Sequence, residues 1–166
     1  MVRDPRHPHL TGGCQCGAVR YALYAPPERT HFWHCRMCQK AVGNVFAALA
    51  PVRRTDFAWT RGDPPAFRSS TIAERHYCAA CGTPLTFGYV DSEWIDVTIG
   101  SLDRPDLAPA GRHYGIEGRV AWEPLADEWP ADTTEDEMTA DHRARIVDFQ
   151  HPDHDTPDDW TPPVST

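Results

Sequence analysis

Six cysteines in three close pairs are the feature that most constrains how this 166-residue chain can fold. The pairs are Cys14-x-Cys16, Cys35-x2-Cys38 and Cys78-x2-Cys81. A C-x2-C turn brings two thiolates to one metal ion, and a C-x-C pair on a strand does the same because positions i and i+2 face the same way. Zinc takes four such ligands at the corners of a tetrahedron. The spacing therefore predicts at least one zinc site held by four of the six thiols.

The rest of the sequence favours metal ligands over disulfides. Residues 1–10 contain Pro, His, Arg and Asp but lack the apolar segment of a signal peptide. The longest apolar run, residues 45–50, is far shorter than the roughly 20 residues that span a membrane. We therefore expect a cytoplasmic protein without membrane contact. Cysteines stay reduced in that compartment, where close pairs are more often metal ligands than disulfides.

Charge divides the chain into two parts. Residues 131–166 hold ten acidic and two basic residues, which accounts for the whole net charge of −8. This balance argues against nucleic-acid binding, which depends on basic groups that neutralise phosphates. We predict a domain over residues 10–130 and an acidic appendage over residues 131–166. Capping-box spacing and a helical stripe predict a helix at 134–149 in that appendage, followed by a disordered end.

Short runs between Pro and Gly turn signals indicate a mainly β domain of antiparallel strands. Residues 18–23 and 95–99 alternate between two faces, and the apolar run at residues 45–50, bounded by Pro51, is typical of a core strand. Residues 36–42 are predicted to form one or two helical turns.

The spacing leaves open which two cysteine pairs share a metal ion. Cys35/Cys38 together with Cys78/Cys81 has the form of a zinc ribbon, although 39 residues separate the pairs, against about 15 to 20 in the usual ribbon. Cys14/Cys16 together with Cys78/Cys81 also supplies four thiolates. Local chemistry does not choose between these pairings.

Motifs along residues 10–130 supply a further indication. They are GGCQCGAVRY at residues 12–21, HCRMCQK at 34–40, APV at 50–52, RHYCAACGTPL at 75–85, GSLD at 100–103 and AWEPLAD at 121–127. In this order they resemble the glutathione-dependent formaldehyde-activating enzyme family, which shares its zinc domain with centromere protein V. The acidic appendage lies outside the resemblance.

The resemblance implies a β-tent fold and a structural zinc ion held by Cys14, Cys16, Cys78 and Cys81. It also implies a second, catalytic-type zinc bound by a C-x-C-x2-C segment, with an open position for a thiol such as glutathione. The activity it implies is that of a carbon–sulfur lyase acting on thiol–aldehyde adducts of the S-hydroxymethylglutathione type.

The sequence departs from this pattern at the second site. The last two cysteines of the segment match Cys35 and Cys38, but Trp33 stands where the first is expected. An indole offers a metal no lone pair. His31, in register with Cys35 on an extended strand, and His34, beside it in sequence, are the candidate additional ligands.

Three functions remain open at this stage. The first is the lyase, with a metal at Cys35/Cys38 that a substrate thiol completes. The second is a zinc scaffold without catalysis, whose acidic tail contacts partners. The third is a redox dithiol, in which Cys35 and Cys38 form a disulfide in the absence of metal.

Overall fold

Two β-sheets enclose the main core of the molecule. The computed structural model describes residues 6–122, 139–145 and 153–157. The strands are β1 (Leu10–Gly13), β2 (Arg20–Leu23), β3 (His31–Trp33), β4 (Ala47–Arg53), β5 (Phe57–Arg61), β6 (Ala66–Arg68), β7 (Ala73–Tyr77), β8 (Pro84–Tyr89), β9 (Trp94–Thr98) and β10 (His113–Tyr114). The helices are α1 (Arg36–Val42) and α2 (Ala140–Ala144).

The smaller sheet has the strand order β1-β2-β5, and the larger has the order β10-β3-β4-β9-β8-β7-β6. The strands of the larger sheet pair antiparallel, except that β10 lies parallel to β3. The mainly β, antiparallel fold predicted from the sequence is confirmed. Among the described helices, none is long and apolar enough to cross a membrane.

Each face of the larger sheet covers a separate apolar cluster. The main core lies between the sheets and includes Leu10, Tyr21, Leu23, Ala50, Val52, Leu85, Ile95 and Val97. A second cluster packs α1 onto the opposite face and includes Cys38, Ala47, Leu49, Ala73 and Phe87, with Trp33 and Cys35 at its edge. Neighbouring residues of β4 divide between the two, because successive side chains of a strand point to opposite faces.

The predicted local elements agree with the structure apart from details of burial and length. Residues 36–42 form α1 as predicted. All four residues of β2 are buried, since this strand lies between β1 and β5 and is covered on both faces. Of the helix predicted at 134–149, residues Ala140–Ala144 are helical and most of the rest lies outside the described residues.

The prediction that the core strand ends at Pro51 is wrong, because β4 continues to Arg53. Pro51 lacks a backbone N–H, so it fits a strand only where no donor is needed on that side. The pairing between β3 and β4 reaches as far as His31, opposite Leu49, and does not extend to Pro51. Beyond that point the carbonyl of Pro51 accepts a hydrogen bond from the amide of Glu28, and the missing donor leaves no ladder bond unmade.

A buried ion pair connects the smaller sheet to the loop after β9. Arg20 on β2 and Asp103 are both nearly inaccessible to solvent, and the guanidinium contacts both carboxylate oxygens, Nη1 to Oδ1 at 3.0 Å. The hydroxyl of Thr11 donates to Oδ2 at 2.6 Å. The carbonyl of His154, in the appendage, also accepts from Arg20 at 3.0 Å. Two segments 83 residues apart are thereby fixed to one another.

Replacing one member of this pair should destabilise the domain strongly. Asp103→Asn leaves the buried guanidinium without its counter-charge, and we expect the free energy of unfolding to fall by about 3–5 kcal/mol. Urea denaturation monitored by Trp fluorescence measures the change. Asp106→Asn is the matched control, since Asp106 forms an exposed pair with Arg104 at 2.8 Å and should leave stability unchanged. Equal effects of the two variants would contradict the stabilising role of the buried pair between Arg20 and Asp103.

Candidate metal centre

Two of the three cysteine pairs lie in loops that belong to different sheets. Cys14 follows β1 directly, and Cys16 lies in the turn that leads to β2 of the smaller sheet. Cys78 follows β7, and Cys81 lies in the turn before β8 of the larger sheet. The structure brings these four residues into one cluster, whose sulfur atoms all lie within 4.8 Å of one another.

The sulfur spacing matches a tetrahedral metal site and no disulfide. Cys14 and Cys16 Sγ are 3.6 Å apart, and Cys16 and Cys78 Sγ are 3.8 Å apart. A metal with metal–sulfur bonds of about 2.3 Å has sulfur–sulfur edges of about 3.8 Å in a regular tetrahedron. Both distances are far longer than the sulfur–sulfur bond of about 2.05 Å in a disulfide. All six cysteines are free thiols.

Both loops are folded by the same local devices. Each of the two pairs in the cluster is followed by a glycine with positive φ, Gly17 at 70° and Gly82 at 77°. Glycine adopts this conformation without steric cost. Backbone bonds close the turns: Gly17 N–H donates to the carbonyl of Cys14, and Gly82 N–H to that of Cys78. The loops therefore hold their sulfur atoms in place through backbone geometry.

Hydrogen bonds to sulfur surround the cluster. The amide of Val19 donates to Cys14 Sγ at 3.2 Å, and the Thr83 hydroxyl lies 3.1 Å from Cys81 Sγ. The same hydroxyl accepts from the amide of Gln15, so it links the two loops. Metal thiolates are commonly stabilised by such outer contacts.

The thiol pKa values show what a bound cation would contribute. Burial raises the pKa of Cys14 and Cys16, so their thiolates are costly in isolation. Burial also acts on Cys81, but hydrogen bonds from Thr83 and Cys16 outweigh it and lower the pKa to about 6. A metal ion supplies the positive charge that stabilises all four thiolates together. The cluster fits a metal ion in number, spacing and chemistry.

The third pair lies elsewhere, at the start of α1 on the outer face of the larger sheet. Cys35 precedes the helix and its sulfur accepts from the amide of Cys38 at 3.3 Å. Within the described part of the chain, the tetracysteine group is the one cluster of three or more His, Cys, Asp or Glu ligands. Cys35 and Cys38 are therefore two thiols without a third ligand beside them.

Trp33 fills the position from which a third thiolate is expected. Its indole packs edge-on against Phe87, with ring centroids 5.6 Å apart, and near His31 and Tyr114 at 5.6 and 5.8 Å. It borders the same apolar cluster as Cys35. Trp33 is thus a packing residue of this face.

The two candidate histidine ligands make other contacts. His31 is buried, its Nδ1 lies 2.9 Å from the carbonyl of Arg29, and its Nε2 has no hydrogen-bond partner among the described residues. Its ring packs against Tyr114 at 4.8 Å. His34 is fully buried, with Nε2 2.8 Å from Nδ1 of His113. Neither histidine joins Cys35 and Cys38 in a cluster of ligands.

Arg75 is a residue of this face that sequence reasoning missed. Its guanidinium donates from Nη2 to Cys38 Sγ at 3.5 Å and lies 4.6 Å above the ring of Phe87. Cys38 and Arg75 are 37 residues apart, and only the packing of α1 onto β7 and β8 brings them together. The residue lies in the RHYCAACGTPL motif, where position alone gives no sign of this contact.

A pocket of about 390 Å³ opens next to Arg75. Its wall is mainly apolar, formed by Ala41, Val42, Leu49, Phe67, Pro84 and Phe87. Arg75, His76 and Thr86 supply polar groups, and His76 Nδ1 lies 2.9 Å from the Thr86 hydroxyl. This volume lies within the range of small-molecule sites. Arg75 therefore links the pocket, which it lines, to Cys38, which its guanidinium contacts.

Asp96 is a buried carboxyl group on the same face. It occupies the position on β9 that pairs with Phe87, which in turn pairs with Arg75 on β7, so the three side chains share one side of the sheet. Burial raises the pKa of Asp96 to about 6, although the positive charges of Arg29, Arg54 and Arg75 oppose the shift. The charged form is therefore disfavoured in the folded state.

The fold and site define a small β protein with a four-cysteine centre between two sheets and, apart from it, a dithiol and a pocket that Arg75 connects. Comparison with known proteins agrees. The family model for the glutathione-dependent formaldehyde-activating enzyme matches residues 9–115, and the chain belongs to this family.

Two relatives illustrate the likeness. A protein of Schizosaccharomyces pombe, named an uncharacterised lyase, is 26% identical over 86 residues, which cover 52% of this chain and 62% of the relative. The chain thus matches less than two thirds of that relative's length. The crystal structure of a Rhodobacter sphaeroides protein has the same fold, with a TM-score of 0.50 and 23% identity over 62% of this chain and 98% of that one.

The shift at Asp96 predicts a specific pH dependence of stability. A carboxyl group whose pKa rises from 3.8 to about 6 on folding stabilises the native state below about pH 4, and this contribution is lost as the pH rises through 6. Asp96→Asn removes the cost of burying the charge, so we expect a gain of up to about 3 kcal/mol at pH 8 and little change at pH 4. Thermal unfolding at the two pH values tests this. A variant less stable than wild type at pH 8 would refute the prediction.

Proposed function

We propose that this chain is a carbon–sulfur lyase of the glutathione-dependent formaldehyde-activating type, which forms and cleaves adducts between a thiol and an aldehyde. Membership of the family and the lyase name of the yeast relative support the reaction class. The observation that carries the proposal is a pocket of about 390 Å³ lined by Arg75, whose guanidinium also contacts Cys38 of the dithiol. Small thiols such as glutathione are the proposed thiol partners.

The tetracysteine centre is proposed to hold one zinc ion with a structural role. Cys14, Cys16, Cys78 and Cys81 would occupy all four positions of a tetrahedral ion, which leaves none open for substrate. The ion would supply folding free energy, because it connects loops from the two sheets whose cysteine pairs are separated by 61 intervening residues. The chemistry is therefore assigned to the other face of the larger sheet.

The proposed substrate is an adduct R–S–CH₂–OH. The C–S bond breaks with its electron pair on sulfur, the hydroxyl proton passes to water, and the carbon becomes the carbonyl of the aldehyde. The reverse direction adds the thiolate to the carbonyl. The apolar wall formed by Val42, Leu49 and Phe87 would exclude water from the reacting atoms and hold the adduct beside Arg75.

The residues at Cys35 and Cys38 do not fit a second, catalytic zinc ion. Such an ion takes three ligands from the protein and leaves the fourth position for substrate. Here two thiols are present, Trp33 stands at the sequence position where the third is expected, and His31 and His34 do not cluster with them. No step of the proposed reaction passes through a metal at this site.

Zinc analysis separates the two cysteine sites. We expect protein purified without added metal to carry one zinc per chain, and Cys78→Ser to lose it together with a sharp drop in melting temperature. Cys38→Ser, a matched thiol-to-hydroxyl change, should keep one zinc. Elemental analysis and thermal unfolding of the three proteins measure this. Retention of zinc and full stability in Cys78→Ser would remove the basis of the structural site.

Blocking the pocket should abolish the activity. NMR exchange spectroscopy of ¹³C-formaldehyde and glutathione measures how fast the adduct forms and breaks, with buffer alone as reference. We expect wild type to accelerate exchange and Ala41→Trp, an exposed α1 position whose indole would enter the pocket, to reduce the rate at least tenfold. Ala140→Trp on α2 is the matched control. Exchange no faster than buffer with wild type would favour the non-catalytic scaffold.

A further inference from the structure

We propose that Arg75 takes the place of the second metal ion, and that its guanidinium is the positive charge that holds the substrate sulfur in the pocket. The catalytic part of this inference rests on the lyase function proposed above, whereas the exclusion of a metal ion does not. It makes Arg75 a catalytic residue, because the group would touch the reacting sulfur.

The contact between Arg75 and Cys38 shows that the guanidinium already lies at bonding distance from sulfur. Nη2 is 3.5 Å from Cys38 Sγ, within the range of a hydrogen bond to sulfur. The stacking of the guanidinium on Phe87 fixes its plane at 4.6 Å from the ring centroid. A cation in this place meets the sulfur where a metal ion would otherwise bind.

The surroundings of the dithiol favour a guanidinium over a metal ion. A metal ion bound to Cys38 would share the sulfur with the guanidinium, whose Nη2 lies 3.5 Å from that sulfur, and the two positive charges would repel. The sequence position of the third thiolate is occupied by Trp33, whose indole contacts the rings of His31, Phe87 and Tyr114. The absence of a third thiolate and the presence of the arginine contact therefore both weaken metal binding at Cys35 and Cys38.

Arg75 also has hydrogen-bonding capacity left for a substrate. Its Nε is buried and has no partner in the described part of the chain, and its guanidinium lines the pocket. Buried donors without partners are uncommon and call for an explanation. A guanidinium presents its donors in a rigid fork suited to a charged acceptor, such as the thiolate that forms when the C–S bond breaks.

The step needs no redox partner. As the C–S bond breaks, the electron pair goes to sulfur, which Arg75 N–H groups stabilise, and the hydroxyl proton goes to water. The thiolate then leaves or takes a proton from water. Arg75 neither gains nor loses a proton, since a guanidinium stays charged throughout the working pH range.

The metal arm of the test uses zinc stoichiometry and affinity, with no need for activity. We expect wild type to bind one zinc per chain. Trp33→Cys supplies a third thiolate but keeps the repelling cation, whereas Trp33→Cys combined with Arg75→Met removes it. The double variant should bind its second zinc at least tenfold more tightly than Trp33→Cys alone. Equal affinity of the two variants, or a second tight zinc in wild type, would overturn the proposal.

The activity arm measures adduct exchange after EDTA treatment that leaves one zinc per chain by elemental analysis. We expect wild type to retain its rate, Arg75→Met to lose at least a hundredfold, and Arg75→Lys to recover part of the loss by keeping the charge. Arg68→Met is the matched control, because Arg68 is exposed on β6 and donates to the carbonyl of Thr71. Full activity of Arg75→Met would overturn the catalytic role. If wild type is also inactive, the lyase function fails, and the zinc affinities still decide whether Arg75 excludes a metal.

Discussion

The convergence of four sulfur atoms from two different sheets is the contact on which the rest of the structure depends. The hairpin loop of β1 and β2 supplies Cys14 and Cys16, and the loop of β7 and β8 supplies Cys78 and Cys81. Because Cys14 and Cys78 directly follow their strands, a metal ion held by the four thiols would fix how the two sheets are placed over their common core. Gly17 and Gly82 allow each loop to curl around its sulfur atoms. A chain with short strands and many turns thus gains a rigid junction without a long helix.

This junction leaves the opposite face of the larger sheet available for chemistry. Residues of one strand divide between the two sides, so Leu49 packs under α1 while Ala50 contributes to the main core. Arg75 and Asp96 project onto the outer face, where charged groups that are shielded from solvent interact more strongly than they would in water. Arg20 and Asp103 show how the main core handles charge: the two ions are paired, whereas Arg75 contacts one sulfur and faces a pocket. The tetracysteine centre and the contact of Arg75 with Cys38 therefore lie on different sides of one sheet.

The sequence predicted the local features and left the long-range contacts open. Cysteine spacing, the alternation around Val97 and the short helix at residues 36–42 are properties of neighbouring residues, and they are readable from the chain. The sharing of a cluster by two pairs with 61 residues between them came from the family resemblance, because spacing does not say which pairs share an ion. The contact of Arg75 with Cys38 depends on the register of three strands and the position of α1, which no local pattern encodes. Pro51 was misjudged for the same reason, since its fit depends on where the neighbouring strand ends.

X-ray absorption spectroscopy at the metal edge of the purified chain tests the central claim most directly, since it reads the ligand atoms around the ion. The account predicts a single coordination shell of four sulfur atoms at about 2.3 Å, with one metal ion per chain. A shell that mixes sulfur with nitrogen or oxygen, or a count of two metal ions per chain, would contradict the claim that the four thiols of the two loops hold the one resident ion.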